Sequence, residues 1–297
     1  MILQKALRSA LVSIFLTSSL TACAAGSQAK LIPNPFVEPS GQVQTTSQKS
    51  SVVRAQSSSV PKASIGSSSS AIARLTAVRI PILVYHHLRS TKGYPKSTWS
   101  YKMSVSPDIF EKQMQWIADH GYQTIDLDTA AAILKGEQVG LAKPIIITFD
   151  DNNSTQYTVG VPILMKYKQM AVFYLISSRL ENKSFISADQ VREMSRLGMD
   201  IESHTVSHAM LTNLSLKAMD AQLAESRRVL EELIGKPVRH LSYPLTTSNA
   251  TVRTHTEKAG YITGTIMDPR VATPKDSLFK LPRIMMIDTT DLKKVLP

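Results

Sequence analysis

Cysteine is nearly absent from this chain of 297 residues: Cys23 is the single one. With no second thiol, no intramolecular disulfide can form, and a cysteine-based metal site lacks the ligands it needs. Also missing near the N-terminus is an apolar run long enough to span a bilayer. Ala10 to Leu20 is hydrophobic but falls short of the about 20 residues that a spanning helix requires. No glycine-rich phosphate loop opens any predicted helix, so a nucleotide-binding sheet has no support from motif. The net charge is +11, yet no basic cluster is interleaved with aromatics in the manner of a nucleic-acid surface. Nucleic acid is therefore not an expected partner.

What is present divides the chain into three. Lys5 and Arg8 precede the apolar stretch, and small residues follow it, the layout of an export signal. Leu20-Thr21-Ala22-Cys23 resembles the lipobox of bacterial lipoproteins, in which the cysteine is lipidated and becomes the mature N-terminus. The plainer alternative is an ordinary secretory signal cut nearby. Residues 1–22 are expected to be the signal peptide, and the mature protein to be exported. The lipid on Cys23 would hold it at a cell membrane or outer membrane, facing the periplasm or the exterior. Residues 23–77 are rich in Ser, Gln and Thr, notably Gln44 to Ser51 and Ser57 to Ser70. Such a composition buries too little apolar surface to offset chain entropy and is expected to be a disordered linker.

From Val78 the pattern changes, and 78–297 reads as the folded domain, with hydrophobic residues making up 43% of the whole chain. Strand candidates are Ile80 to Tyr85, Tyr122 to Leu127, Pro144 to Phe149, Ala171 to Ile176, Met199 to Glu202, His240 to Tyr243, Tyr261 to Thr265 and Arg283 to Ile287. Between them fall helical stretches, among them Pro107 to His120, Thr129 to Leu134, Thr155 to Tyr167, Ala188 to Leu197, Ser215 to Ile234 and Asn249 to Ala259. Pro162 marks a kink or a boundary within one of them. Alternating strand and helix imply an α/β protein with a parallel sheet. About 220 residues suits a (β/α) barrel or a distorted relative, with an open doubly wound sheet as the rival. In either, chemistry is expected at the C-terminal ends of strands.

Two constellations fall at such ends. Asp150 and Asp151 close the most apolar strand, and two adjacent carboxylates repel unless a cation or a shared proton compensates. One suits a metal ligand and the other a general base; a solvated turn at a helix start is the bland alternative. Next, His204 and His208 stand four apart, so a helix would put both imidazoles on one face. Thr205 occupies the place where zincins require glutamate, which excludes that class. Asp151, His204 and His208 make a two-histidine, one-carboxylate set that leaves coordination positions open for water and substrate.

Three ordered segments, Ile147 to Asp151, Ser203 to His208 and Ser242-Tyr243-Pro244, resemble the motifs of the NodB-type polysaccharide deacetylases, carbohydrate esterase family 4. Pro81 to His87 resembles the first strand of the branch that contains poly-N-acetylglucosamine deacetylases. Further echoes are Pro162-Ile163-Leu164, Lys258 to Tyr261 and Leu281-Pro282-Arg283. The resemblance runs from about Ile80 to Ile287. It implies a distorted (β/α) barrel and metal-dependent hydrolysis of N-acetyl groups from an amino-sugar polysaccharide: poly-N-acetylglucosamine, peptidoglycan or a chitin-like polymer.

On that reading Asp151, His204 and His208 hold Zn²⁺ or a similar divalent ion, and Asp150 is the base. The N–H of Leu245, beside Tyr243 and Pro244, stabilises the oxyanion, and His86, ahead of its neighbour His87, is the acid. Alternatives are a glycan-binding module with weak turnover and an O-acetyl esterase. The chain departs from the pattern at Asn152, commonly glycine, at Asn153, commonly aromatic, and at Glu202, commonly small. Leu245-Thr246 replaces an aromatic-glycine pair. Neither the tryptophan-containing motif nor the C-terminal Leu-x-His motif of that family is recognisable. Trp99, in a polar loop, is a candidate for stacking on a sugar ring, whereas Trp116 reads as packing surface. Arg283 reads as a partner for an acid near the site or as a structural ion pair.

Overall fold

The structure is a computed structural model and describes residues 78–138 and 141–297. The signal segment and linker expected from the sequence lie outside the described residues. The strands, in chain order, are β1 (Ile82–Tyr85), β2 (His87–Leu88), β3 (Ser104–Val105), β4 (Gln123–Thr124), β5 (Pro144–Asp150), β6 (Val172–Leu175), β7 (Asp200–Ser203), β8 (His240–Ser242), β9 (Thr263–Met267) and β10 (Leu281–Met285). All of the strand pairings are parallel.

The order β1-β10-β9-β8-β7-β6-β5, closed by pairing of β1 with β5, makes a barrel of 7 strands. The long β5 also takes β4 at its start, while β2 and β3 form a separate pair. The distorted barrel expected from the sequence is the one observed, and closure leaves no role for an open sheet.

Strand periodicity sorts the side chains. Leu83 and Tyr85, Ile145 and Ile147, and Phe173 and Leu175 join one buried cluster with helix residues such as Phe110, Leu223 and Leu230. Their neighbours Ile82, Ile146, Val172 and Tyr174 join another, together with Leu127, Ala130 and Ile133 of the helix Leu127–Lys135. The second set turns into the barrel. Further along the same inward face stand polar groups, Thr148, Asp150, Ser242 and Arg283, all buried. An apolar barrel that becomes polar at its C-terminal end is therefore written in alternate residues of its strands.

Local chemistry trims several predicted elements. The strand expected over Tyr122 to Leu127 shrinks to β4, because Asp126 caps the next helix by accepting from Thr129 N–H. The helix expected over Thr155 to Tyr167 is a π-helical turn, Gln156–Gly160, followed by a helix, Val161–Lys166. Pro162 sits at the boundary, in the first turn of the second piece, where its missing N–H costs least. The loop expected up to Ser104 contains a short helix, Trp99–Lys102, capped by Thr98.

Candidate metal and catalytic site

Five parallel strands deliver polar side chains to one end of the barrel. Asp150 ends β5, and Asp151 follows with a left-handed φ of 81°. His204 follows β7, Ser242 ends β8, Arg283 lies on β10 and His86 follows β1.

The segment from His204 to His208 is not a helix. It is a turn, with Thr205 at φ 67° and His208 at φ 61°. Both rings still meet, 4.9 Å apart and edge-on, because the turn folds the chain back over the same four-residue interval. His208 N–H donates to Thr205 Oγ1 at 3.1 Å and helps to fix it. Among the described non-glycine residues with left-handed φ, all but Lys168 belong to the three loops of this site. Such conformations cost about 1–3 kcal/mol each and persist where the surroundings over-determine them.

Asp151 Oδ1, His204 Nε2 and His208 Nε2 converge. The carboxylate oxygen is 3.7 Å from the first nitrogen and 3.4 Å from the second, and the three potential ligand atoms all lie within 4.8 Å of one another. Bonds of about 2.0–2.1 Å to a tetrahedral cation would separate ligand atoms by about 3.3 Å. Asp151 Oδ1 is buried and has no hydrogen-bond partner, which is costly for a carboxylate unless a cation compensates. His204 Nδ1 lies 2.7 Å from the Ser242 carbonyl. A carbonyl only accepts, so Nδ1 carries the proton and Nε2 presents its lone pair to the cluster. The donor set fits a divalent cation of the zinc type.

Asp150 stands beside this cluster but is held apart from it. Its Oδ1 accepts from Arg283 Nη1 at 2.8 Å, and its Oδ2 accepts from Arg283 Nη2 at 2.7 Å and from Ser242 Oγ at 2.9 Å. His204 Nε2 is 4.0 Å from Oδ2. Burial alone would raise the Asp150 pKa, but the Arg283 guanidinium overrides it and holds the carboxyl well below the ordinary carboxylate range. Asp150 is therefore held as an anion at neutral pH. Arg283 takes the role of partner to an acid at the site.

His86 is 6% exposed and borders the same pocket. Burial lowers its pKa to about 4, against the pull of Asp150 and Asp151 in the other direction. The ring is neutral at pH 7 and becomes a proton donor only after taking a proton within the site. Burial also lowers the neighbouring His87, with Arg89 the next influence. Tyr243 borders the pocket, but its ring packs into the core. Pro244 is buried at the start of a short helical turn, Pro244–Thr246. Leu245, the next residue, is 53% exposed with φ 54°. Its N–H precedes any acceptor within the turn, as at every helix start.

Three residues of the site were not singled out for a role in the sequence. Ser242 joins its two halves: its hydroxyl donates to Asp150 and its carbonyl orients His204. Gln156, from the π-helical turn, donates Nε2 to the Asp150 carbonyl at 2.5 Å and to the His86 carbonyl at 2.8 Å, tying the ends of β5 and β1 together. Arg179 donates to the Asp151 carbonyl at 3.0 Å. Strand alternation was the available signal for Ser242; the other two lie in single helical turns too short to carry a periodicity.

Residues 138–264 match the family model described as Polysaccharide deacetylase. The chain has the fold of the NodB-type deacetylases and is similar to polysaccharide deacetylases in sequence. The Bacillus subtilis (strain 168) protein YxkH, whose name places it among the polysaccharide deacetylases, is 29% identical over 206 residues, covering 69% of this chain and 71% of that one. A poly-β-1,6-N-acetyl-D-glucosamine N-deacetylase of Staphylococcus aureus (strain MSSA476) is 28% identical over 199 residues, covering 62% and 68%. Among solved structures, the Streptococcus pyogenes deacetylase PplD, in complex with acetate, superposes with a TM-score of 0.70 at 25% identity, covering 74% of this chain and 99% of that one.

The departures noted in the sequence have local structural accounts in the barrel. Asn152, at φ 58°, spans a gap with its side chain, accepting from Ile176 N–H at 2.6 Å and donating to Ile176 C=O at 3.2 Å. Asn153 Oδ1 accepts from the N–H of Thr155 at 3.1 Å and from its hydroxyl at 2.6 Å. Glu202 is buried and accepts from the N–H groups of Arg239 and His240 at 2.8 and 2.7 Å. It therefore lies toward the start of β8, away from the cluster of Asp151, His204 and His208.

Proposed function

We propose that the domain hydrolyses N-acetyl groups from an amino-sugar polysaccharide, using a divalent cation, best fitted by Zn²⁺, held by Asp151, His204 and His208. The observation that carries this reading is a buried carboxylate oxygen that accepts no hydrogen bond, with Arg179 Nη1 no nearer than 3.9 Å, set beside two imidazole nitrogens, with a second carboxylate kept ionised next to it. When bound, the cation would supply Lewis acidity toward the acetamide carbonyl and the attacking water.

The chain's own groups do the rest. Asp150, fixed by Arg283 and Ser242, orients water through the oxygen that faces His204 and accepts its proton. The Leu245 N–H supports the negative charge that develops on the acetyl oxygen. His86 passes a proton to the leaving amine. Its low pKa means that this proton is taken up within the site during turnover, and it is the one that Asp150 has accepted from the water. The relatives named as poly-N-acetylglucosamine deacetylases support a polymer of that kind; peptidoglycan and chitin-like chains share the same acetamido group. Export, with a lipid on Cys23 holding the domain at a membrane surface, completes the proposal and suits a substrate outside the cell.

The test is acetate release from β-1,4- and β-1,6-linked N-acetylglucosamine oligomers by chelated protein, with and without added Zn²⁺. Activity should return with metal and be lost in Asp150→Asn, which keeps the ligand set and should still bind Zn²⁺. Full activity in that variant refutes the base. Release from acetylated xylan alone would assign an esterase, and glycan retention without any acetate release would assign a binding module. Recovery of Cys23→Ser in the soluble fraction, with the parent protein in membranes, tests the anchor.

A further inference from the structure

We infer that Trp99 is a stacking platform for the sugar ring next to the one being deacetylated, so that the domain recognises a stretch of polymer and not a single residue. The inference rests on the amino-sugar reading above. The catalytic pocket has a polar floor of Asp150, Asp151, His204 and His208, and an apolar rim that includes Trp99, Met103 and Leu245. Its volume is about 190 Å³, below the roughly 300–1,000 Å³ typical of small-molecule pockets. A pocket of that size takes the acetamido group and its own ring, and leaves the neighbouring sugars of a polymer outside, on the rim.

That rim is unusually apolar for a solvent-facing surface. The exposed large hydrophobic residues of the described chain are Tyr94, Trp99, Leu141, Leu216 and Leu245, and two of them, Trp99 and Leu245, border this one pocket. Trp99 is the most exposed of the group at 64%. An indole left in water beside an active site is the form that recognises the apolar face of a pyranose.

The platform is also rigid. Trp99 is the first residue of the helix Trp99–Lys102, capped by Thr98, whose hydroxyl donates to the Pro95 carbonyl at 2.7 Å and accepts from Tyr101 N–H at 3.3 Å. Tyr101 buries its side chain, and Met103 N–H returns to the Trp99 carbonyl at 2.9 Å. Directly after this helix, β3 pairs with β2, the strand that follows His86. The backbone under the indole is thereby tied to the catalytic end of the barrel, so that a ligand has only the side-chain torsions of Trp99 to order.

Kinetics and fluorescence together test the subsite. In Trp99→Ala, KM for N-acetylglucosamine tetramers should rise roughly three- to tenfold, the worth of one aromatic contact, with a much smaller change in kcat. The advantage of tetramer over monomer in kcat/KM should shrink by the same factor, and Trp99→Phe should restore most of it. In Trp116→Phe, Trp99 is the sole indole, since the chain has 2 tryptophans. Its emission should shift saturably with tetramer. An unchanged KM in Trp99→Ala, or emission that responds to phosphatidylcholine vesicles and not to tetramer, overturns the subsite. Emission that shifts with tetramer while no glycan releases acetate keeps the subsite and overturns the deacetylation reading instead.

Discussion

Replacing Arg283 with methionine removes a buried charge while keeping most of the buried volume, and the structure fixes both the size and the pH dependence of the result. Arg283 is 2% exposed and grips both oxygens of Asp150, at 2.8 and 2.7 Å. Burial pushes the Asp150 pKa up, and Arg283 is the largest influence bringing it down. Removing one partner of such a pair costs about 3–5 kcal/mol, because the remaining charge stays buried without compensation. For a domain of this size each kcal/mol moves Tm by about 2–4 °C, so Arg283→Met should melt roughly 6–20 °C lower at neutral pH.

The pH dependence should also change sign. In the parent protein Asp150 lies below its ordinary value, so its contribution is complete above about pH 4 and is lost as pH falls into strong acid. In Arg283→Met burial prevails and Asp150 rises above its ordinary value. Stability is then greatest where the carboxyl is neutral and declines as pH rises. Calorimetric melts of chelated protein from pH 3 to pH 8 should show the two variants closest at the acid end and diverging upward. A Tm difference that is negligible, or the same at every pH, refutes the argument.

Three further outcomes are expected. Asn152→Ala loses two buried hydrogen bonds to Ile176 and places alanine at φ 58°, so urea denaturation should show a loss of about 2–4 kcal/mol. Asn152→Gly keeps the backbone and should lose less; the reverse order would contradict the assignment. Gly264→Ala brings its new carbon to 2.4 Å from Tyr243 Oη and 2.6 Å from two ring carbons, an overlap expected to cost about 1–3 kcal/mol and to be read as a lower Tm. Asp200, whose pKa burial raises to about 6, contributes best when neutral, and that contribution is lost as pH rises through about 6. Asp200→Asn should stabilise at pH 8 by at most about 3 kcal/mol and give no gain at pH 4; equal melts at pH 8 would refute this.

The barrel was legible because its signals are local and repeated. The run Ile145-Ile146-Ile147 announces a strand buried on both faces, and Gly235 after the long helix Leu216–Ile234 announces its stop, at φ 68°. Asp150 and Asp151 were legible as a pair because they end such a strand. Their separate environments follow from the backbone: strand alternation carries Asp150 inward to Arg283, and the left-handed turn at Asp151 swings the next carboxylate to the histidines. The helix that a spacing of four would allow between the histidines is absent for the same reason. A spacing of four fits one helical turn, but it equally fits a loop that two left-handed residues fold back, and composition does not distinguish them. Arg283 and Asp150 are 133 residues apart, and no periodicity reports a contact that only barrel closure creates.

Left-handed backbone also explains where this chain departs from the family it resembles. Asn152 and Thr246 stand where that family commonly has glycine, and both have left-handed φ, 58° and 62°. The conformation, not the glycine, is therefore the requirement. Asparagine meets it at modest cost, since its amide satisfies the Ile176 backbone on both sides. Thr246 is the harder case, because a β-branched residue is an outlier in this region and Leu245 beside it shares the strain at φ 54°. Its N–H donates to the Tyr243 carbonyl at 3.1 Å and closes the turn. Thr247 adds two more ties, its N–H and its hydroxyl donating to the Pro244 carbonyl at 3.2 and 3.3 Å, and together they hold two strained residues where Leu245 borders the pocket. Two of the five departures, Leu245 and Thr246, border the same pocket as Trp99, while Asp150, Asp151, His204 and His208 keep the residue types of the resemblance. On the proposed function, such a chain keeps the groups assigned to hydrolysis and changes what it offers to the sugars around the reacting one, so its specificity should differ from that of its relatives more than its chemistry does.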